Sequence, residues 1–126
     1  MSQPPVFHPV SADLPFSAAV RYGDLLMLSG QIPFDEEGKP HTGSIEAQTH
    51  AVLKAIDATL NGLGSSLEHV IKANVWLADL QDFAAFNAIY RSYFQAGRYP
   101  VRSLVQAQLA FKVAVEIEVQ AIIPQA

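Results

Sequence analysis

The residues with the clearest chemical potential are an arginine and a glutamate, Arg102 and Glu116. They lie in the stretch 100–120, which is otherwise rich in Val, Leu and Ile. A guanidinium is a permanent planar cation that binds carboxylates through paired hydrogen bonds. A carboxylate on an apolar strand needs water, a cation or a ligand beside it. If strands 103–109 and 112–123 pair as a hairpin, the two side chains come close together, either as a structural ion pair or as a ligand site.

Other catalytic patterns are weak or absent in this sequence. There are no cysteines, which excludes disulfides, thiolate metal sites and a cysteine nucleophile. No G-x-S-x-G elbow of a serine hydrolase occurs, and the glycine of Ser29-Gly30-Gln31 lacks the pattern of a phosphate-binding loop. The four histidines show no metal-ligand spacing: they are His8, His41, His50 and His69. We therefore do not expect a metal site.

Size and composition predict a single domain over residues 1–126. Half of the residues are hydrophobic and only 16% are charged, which indicates that part of the surface is covered by another subunit. The formal net charge of −4, with no basic cluster, argues against a nucleic-acid partner. No signal peptide or apolar run of membrane-spanning length is visible, so we expect no membrane association and a cytoplasmic location.

Periodicity predicts strands and two helices after an irregular, proline-rich arm at 1–15. Strands are expected at 16–22, 25–29 and 70–77, the second of them buried on both faces, and helices at 44–63 and 82–95. In the strand 70–77, Ile71, Ala73, Val75 and Leu77 are expected to share one face. With the final two strands, this order favours an α+β fold with one mixed sheet and both helices on one face. The other face is too apolar for water, so self-association is expected.

The second predicted helix carries an aromatic stripe that is typical of a core. Its members recur at helical spacing: they are Phe83, Phe86, Tyr90 and Phe94. Asn87 lies among them, and a buried helical Asn needs a hydrogen-bond partner, which is either a neighbouring backbone or a ligand. The residues alone favour a structural role for it.

Eight short motifs, in order and at consistent separations, make this sequence resemble the RidA/YjgF family of enamine/imine deaminases. No single motif is specific, but together they cover nearly the whole chain. They are Pro15-Phe16-Ser17, Ser29-Gly30-Gln31, Glu46-Ala47-Gln48-Thr49, Val70-Ile71-Lys72, Asp79-Leu80-Gln81-Asp82-Phe83, Asn87-Ala88-Ile89-Tyr90, Pro100-Val101-Arg102-Ser103 and Val115-Glu116-Ile117-Glu118.

The resemblance implies a chorismate-mutase-like fold, assembled as a homotrimer with three clefts between subunits. It also implies cofactor-independent hydrolysis of 2-imino acids, released by pyridoxal-phosphate enzymes, to 2-oxo acids and ammonia. In that scheme Arg102 binds the substrate carboxylate and Glu116 acts on the attacking water. Gly30 and Asn87 fall at substrate-binding positions of the family.

This sequence departs from the family pattern at Phe16 and Leu104, which the resemblance also places at the substrate site. Many members have Tyr in place of Phe16 and several have Cys in place of Leu104, so the cleft is expected to be more apolar. The connection 109–112 looks one residue short, so Glu118 is the alternative to Glu116. Two other functions fit the same residues: a deaminase for another amino or imino substrate, such as an aminomuconate-type enzyme, and a non-catalytic trimer that binds small carboxylates through Arg102.

Overall fold

A computed structural model describes residues 3–125 of the chain. One mixed sheet has the strand order β1-β2-β3-β6-β4-β5, in which β4 and β5 are parallel and the other neighbours antiparallel. Within the described residues, no helix is long and apolar enough to cross a membrane. The elements are β1 (Val6–Pro9), β2 (Ser17–Tyr22), β3 (Leu25–Leu28), α1 (Ile45–Gly62), β4 (Val70–Leu77), α2 (Phe83–Arg91), β5 (Val101–Gln106) and β6 (Val115–Ile122).

Helix α1 begins and ends close to the predicted positions. The Ser44 hydroxyl accepts a hydrogen bond from the Ala47 N–H (3.1 Å), which satisfies one of the free donors of the first turn. An apolar stripe then packs against the sheet; its fully buried members include Val52, Leu53, Ile56 and Leu60. Gly64, at a φ of +85°, lets the chain reverse after the last turn.

Helix α2 is shorter than predicted, because the chain tightens after Arg91. The N–H groups of Tyr93 and Phe94 donate to the carbonyls three residues earlier, those of Tyr90 (3.1 Å) and Arg91 (3.3 Å). Such bonds belong to a narrower turn than an α-helix. Tyr93 and Phe94 still pack against the core from this turn.

Both helices cover one face of the sheet, on which β4 and β6 supply the centre of the core. The alternate residues of β6 that are buried there are Val115, Ile117, Val119 and Ala121. In β4, Ala73, Val75 and Leu77 lie in the core as predicted, but Ile71 is 47% exposed. A register shift between Val70 and Lys72 places Val70 in the core instead.

The opposite face of the sheet has no cover within residues 3–125. Met27 of β3 is 38% exposed, so the prediction that this strand is buried on both faces is wrong for the single chain. Val101 and Val105 of β5 are also exposed there. Because an apolar face of this kind is unfavourable in water, the homotrimer remains our prediction.

The predicted hairpin between the last two strands is wrong. Strand β4 lies between β5 and β6 and forms hydrogen bonds with both of them. The arm at 1–15 is not wholly irregular either, because its residues Val6–Pro9 form the edge strand β1 against β2. Before β6 the chain makes a tight turn in which Phe111 and Lys112 adopt left-handed φ values of 59° and 57°.

Candidate functional site

Arg102 lies on the helix-covered face of the sheet. It pairs with Ala73, whose side chain is buried in the core, and adjacent residues of paired strands point to the same face. Its Nη1 donates a hydrogen bond of 2.7 Å to the Oδ1 of Asn87 on α2. Within residues 3–125 no carboxylate lies within ion-pair distance of the guanidinium. The cation is therefore held by a neutral partner and retains hydrogen-bonding capacity for an anion.

A pocket of about 250 Å³ opens beside this guanidinium. Asn87, Tyr90 and Arg91 line it from the helix, and Tyr99, Pro100 and Arg102 line it from the entry to β5. A water molecule occupies about 30 Å³ in the liquid, so a pocket of this volume has room for several waters or for one small carboxylic acid. Two guanidinium groups in so small a space favour an anionic occupant.

Glu116 lies on the open face of the sheet, beside Gly30. A Cβ at residue 30 would overlap a carboxylate oxygen of Glu116, so the glycine is needed for space. The φ of Gly30 is not positive, so the conformational freedom of glycine does not explain why residue 30 is a glycine. Burial, and secondly the negative charge of Glu118, raises the pKa of the Glu116 carboxyl. A carboxylate with a raised pKa is a stronger base than an ordinary glutamate.

Glu118 lies on the same face as Glu116 but is already bonded. Its Oε1 accepts a hydrogen bond of 2.8 Å from the Nδ2 of Asn74 on β4. The carboxylate of Glu116 has no hydrogen-bond partner among residues 3–125. Of the two glutamates, Glu116 is therefore the one whose whole carboxylate is free of hydrogen bonds within the described chain, whereas Asn74 already occupies one oxygen of Glu118.

One chain does not bring Arg102 and Glu116 together. Arg102 pairs with Ala73 and Glu116 with Trp76, and residues three apart along β4 point to opposite faces. The two strands are also separated by β4, which sets their backbones about 10 Å apart. The sequence-based expectation of close approach within one chain is wrong, because it assumed the hairpin.

Phe16 and Leu104, the other predicted site residues, lie apart from each other in the fold. Phe16 is 52% exposed and directly precedes β2, whose start is tied to the Gly30 segment by Ser29 hydrogen bonds to the carbonyls of Ser17 and Ala18. Leu104 pairs with Val75 on the helix-covered face, where it packs against the core and does not line the Arg102 pocket.

Sequence reasoning missed Tyr90, Arg91 and Tyr99 as residues of the pocket. Tyr90 was assigned to the core, and it is only 5% exposed, but it also lines the pocket. The sequence does contain a signal for Tyr90: it stands three residues after Asn87 and therefore lies on the same face of the helix.

Comparison with known proteins gives one consistent result. The family model described as endoribonuclease L-PSP matches residues 8–123. Protein HMF1 of Saccharomyces cerevisiae is 39% identical over 107 residues, covering 85% of this chain and 81% of its own. A YjgF family member from Neisseria meningitidis has a TM-score of 0.85 at 32% identity, covering 98% of both chains. RidA from an Antarctic Psychrobacter species has a TM-score of 0.82 at 36% identity, covering 92% of this chain and 94% of its own.

These matches extend over nearly the whole of the sheet and both helices, including the strands that carry Arg102 and Glu116. They also agree with the observed architecture, one mixed sheet with two helices on one face. The chain therefore belongs to the RidA/YjgF family, whose sequence model is described as endoribonuclease L-PSP.

Proposed function

We propose that the protein is a cofactor-independent deaminase that hydrolyses small 2-imino acids to 2-oxo acids and ammonia. The observation that carries this proposal is the guanidinium of Arg102. It is held at a small pocket by a neutral amide, and no carboxylate of residues 3–125 neutralises it. A free 2-imino acid offers a carboxylate to that cation, directly bonded to the carbon that water must attack.

The reaction needs one base that later acts as an acid. Water adds to the C=N carbon as Glu116 takes its proton, and the nitrogen takes a proton from the solvent unless it is already protonated as an iminium. The resulting carbinolamine breaks its C–N bond as Glu116 returns a proton to the nitrogen. Its hydroxyl oxygen loses a proton to the solvent and becomes the carbonyl of the 2-oxo acid, and ammonia leaves. The raised pKa of Glu116 in the single chain favours both transfers, because it makes the carboxylate a stronger base and brings its pKa closer to the working pH. The guanidinium of a neighbour's Arg102 would act in the opposite direction.

The site needs two chains, because Arg102 and Glu116 lie on opposite faces of one sheet. We propose that Arg102 of one subunit meets Glu116 of a neighbour in each cleft of a homotrimer. The uncovered sheet face supports this arrangement, since Glu116 and Gly30 lie on that face and a neighbouring subunit would cover it. A covered cleft would also exclude bulk water and strengthen the carboxylate–guanidinium interaction.

Ammonia and oxo-acid release from freshly generated imines tests the proposal. Imines decay without a catalyst, so the quantity measured is the acceleration above the spontaneous rate. Arg102→Ala removes a charge-assisted contact and should cost on the order of 2–4 kcal/mol, which corresponds to a rate loss of tens- to several-hundred-fold. Arg98→Ala is the matched control, because Arg98 is exposed and outside the pocket.

Near wild-type acceleration by purified Arg102→Ala would refute the role of the arginine. Tight binding of a 2-oxo acid without any acceleration would instead favour the carboxylate-binding trimer. An acceleration confined to larger amino or imino substrates would favour the aminomuconate-type alternative. Ribonucleolytic activity is not expected, since the chain carries a net charge of −4 and phosphate backbones are bound by basic surfaces.

A further inference from the structure

Three aromatic rings on α2 surround the guanidinium of Arg102. Its Cζ lies 4.9 Å from the ring centre of Tyr90, 5.9 Å from that of Phe86 and 6.0 Å from that of Phe83. The spacing of three and four residues brings these rings to one face of the helix, together with Asn87. We call the three rings the aromatic cradle. Phe86 and Tyr90 of the predicted core stripe are buried, but Phe83 is 43% exposed, so the prediction that it belongs to the core is wrong.

The cradle can restrict the orientation of the guanidinium plane, which the hydrogen bond to Asn87 alone does not do. A single bond from Nη1 fixes the position of one nitrogen but leaves the guanidinium plane free to rotate about that bond. Aromatic faces attract a guanidinium and stack against its plane. Tyr90, the nearest ring, is nine-tenths buried and stacks in turn on Phe86 (5.4 Å between centres) and Phe94 (4.8 Å). It is therefore the rigid member of the cradle.

We propose that Tyr90 is a positioning residue for Arg102, and that its ring sets the guanidinium plane that receives a ligand carboxylate. The inference deepens the proposed function and rests on the carboxylate-binding role of Arg102. Arginine has many rotamers, and a side chain that is already held in its binding orientation loses less freedom when the ligand arrives. We therefore expect that loss of the Tyr90 ring weakens the affinity for the ligand carboxylate.

The structure separates the ring of Tyr90 from its hydroxyl. The hydroxyl is buried and has no hydrogen-bond partner among residues 3–125. Burial raises the pKa of Tyr90 to about 12, so the group is a neutral phenol, although the charge of Arg102 acts in the opposite direction. Tyr90→Phe therefore breaks no hydrogen bond within the described chain and keeps the ring, whereas Tyr90→Leu removes the ring.

The binding experiment measures the Kd of 2-oxobutanoate, a stable acid with the same carboxylate as the proposed substrates, by calorimetry. We expect Tyr90→Leu to raise the Kd by about 10-fold, and Tyr90→Phe to stay within about 2-fold of wild type. Tyr93→Leu is the matched control, because this ring packs against the core, has its aromatic contact with His50 and is not part of the cradle. It should lose stability without losing affinity.

A second measurement follows Arg102 without any ligand. The chain has four arginines, so the Nε–Hε signals in an NMR spectrum are few, and Arg102→Lys identifies the one of interest. We expect a shifted, motionally restricted signal in wild type and in Tyr90→Phe, and a mobile one in Tyr90→Leu. If Tyr90→Leu does not fold, Tyr90→Met replaces the ring with a flexible chain of similar reach.

The outcomes separate this inference from the proposed function. A wild type that binds no 2-oxo acid contradicts the role of Arg102, while the NMR signal still decides whether Tyr90 positions it. A mobile Arg102 in wild type, or an unchanged signal and Kd in the ring-less variants, overturns the inference alone. Equal weakening by Tyr90→Phe and Tyr90→Leu would also overturn it, because the hydroxyl would then be the active part.

Discussion

Two inactive variants are expected to restore activity when they assemble together, because each proposed site takes its arginine and its glutamate from different chains. Arg102→Ala removes the cation on the helix-covered face, and Glu116→Gln removes the base on the open face. Separately, Arg102→Ala should lose tens- to several-hundred-fold in rate, roughly the loss also expected of Glu116→Gln. In a mixed trimer, one cleft combines the intact arginine of one chain with the intact glutamate of its neighbour.

The size of the recovery follows from closed threefold symmetry. Random assembly of equal amounts gives mixed trimers in about three cases out of four, and each of them contains about one intact cleft in three. The mixture should therefore show about a quarter of wild-type activity, well above either parent. Differently tagged variants are unfolded together, refolded, and purified through both tags before assay. The doubly purified fraction holds only mixed trimers, so its activity should rise to about a third.

The control mixes two variants that are both damaged in the part of the cleft that carries Glu116. Glu116→Gln mixed with Gly30→Ala should give no recovery, because both changes lie on the open face and every cleft then lacks an intact glutamate half. Mixed trimers of the first pair that work no better than their parents would refute the two-chain site. A recovery in the control pair would show that simple stabilisation by mixing explains the effect.

Three further outcomes are expected. Light scattering at micromolar concentration should give about three times the chain mass of 13.7 kDa, and a monodisperse monomer would contradict the shared cleft. Gly30→Ala should displace the Glu116 carboxylate and lower the rate by about tenfold or more, whereas Gly62→Ala, with no atom near its added methyl and no positive φ, should leave the rate unchanged. Glu118→Gln removes a charge that raises the pKa of Glu116, so the acid limb of the pH–rate profile should move to lower pH.

Local sequence predicts the elements well because their causes are local. The apolar period of α1, with Ser44 as its cap, lies within the helix, and the alternation of β4 lies within the strand. Residue type and position alone identified Arg102 and Glu116 as the residues to follow, and the family resemblance implied a role for each. The division of β6 into a buried and an open face was likewise readable from alternation alone.

The sequence reasoning did not predict which strands that are distant in the chain pair in the sheet. The error at the hairpin arose from treating neighbours in sequence as neighbours in the sheet. A helix between β4 and β5 instead implies a parallel crossover, which leaves the other edge of β4 free for β6. The choice between Glu116 and Glu118 depended on Asn74, whose side chain reaches Glu118 across strands 44 residues apart in sequence.

The central position of β6 has a consequence for how the protein is made. Strands β3 and β4 do not pair with each other; each pairs with β6, which follows all the other strands in the chain. During synthesis the sheet therefore exists as two separate pieces, β1-β2-β3 and β4-β5, each with an unsatisfied edge. Exposed edges of this kind can pair with other chains. Addition of β6 pairs the free edges of both pieces, so a truncation that removes this strand should leave two sheet fragments in place of a slightly smaller sheet.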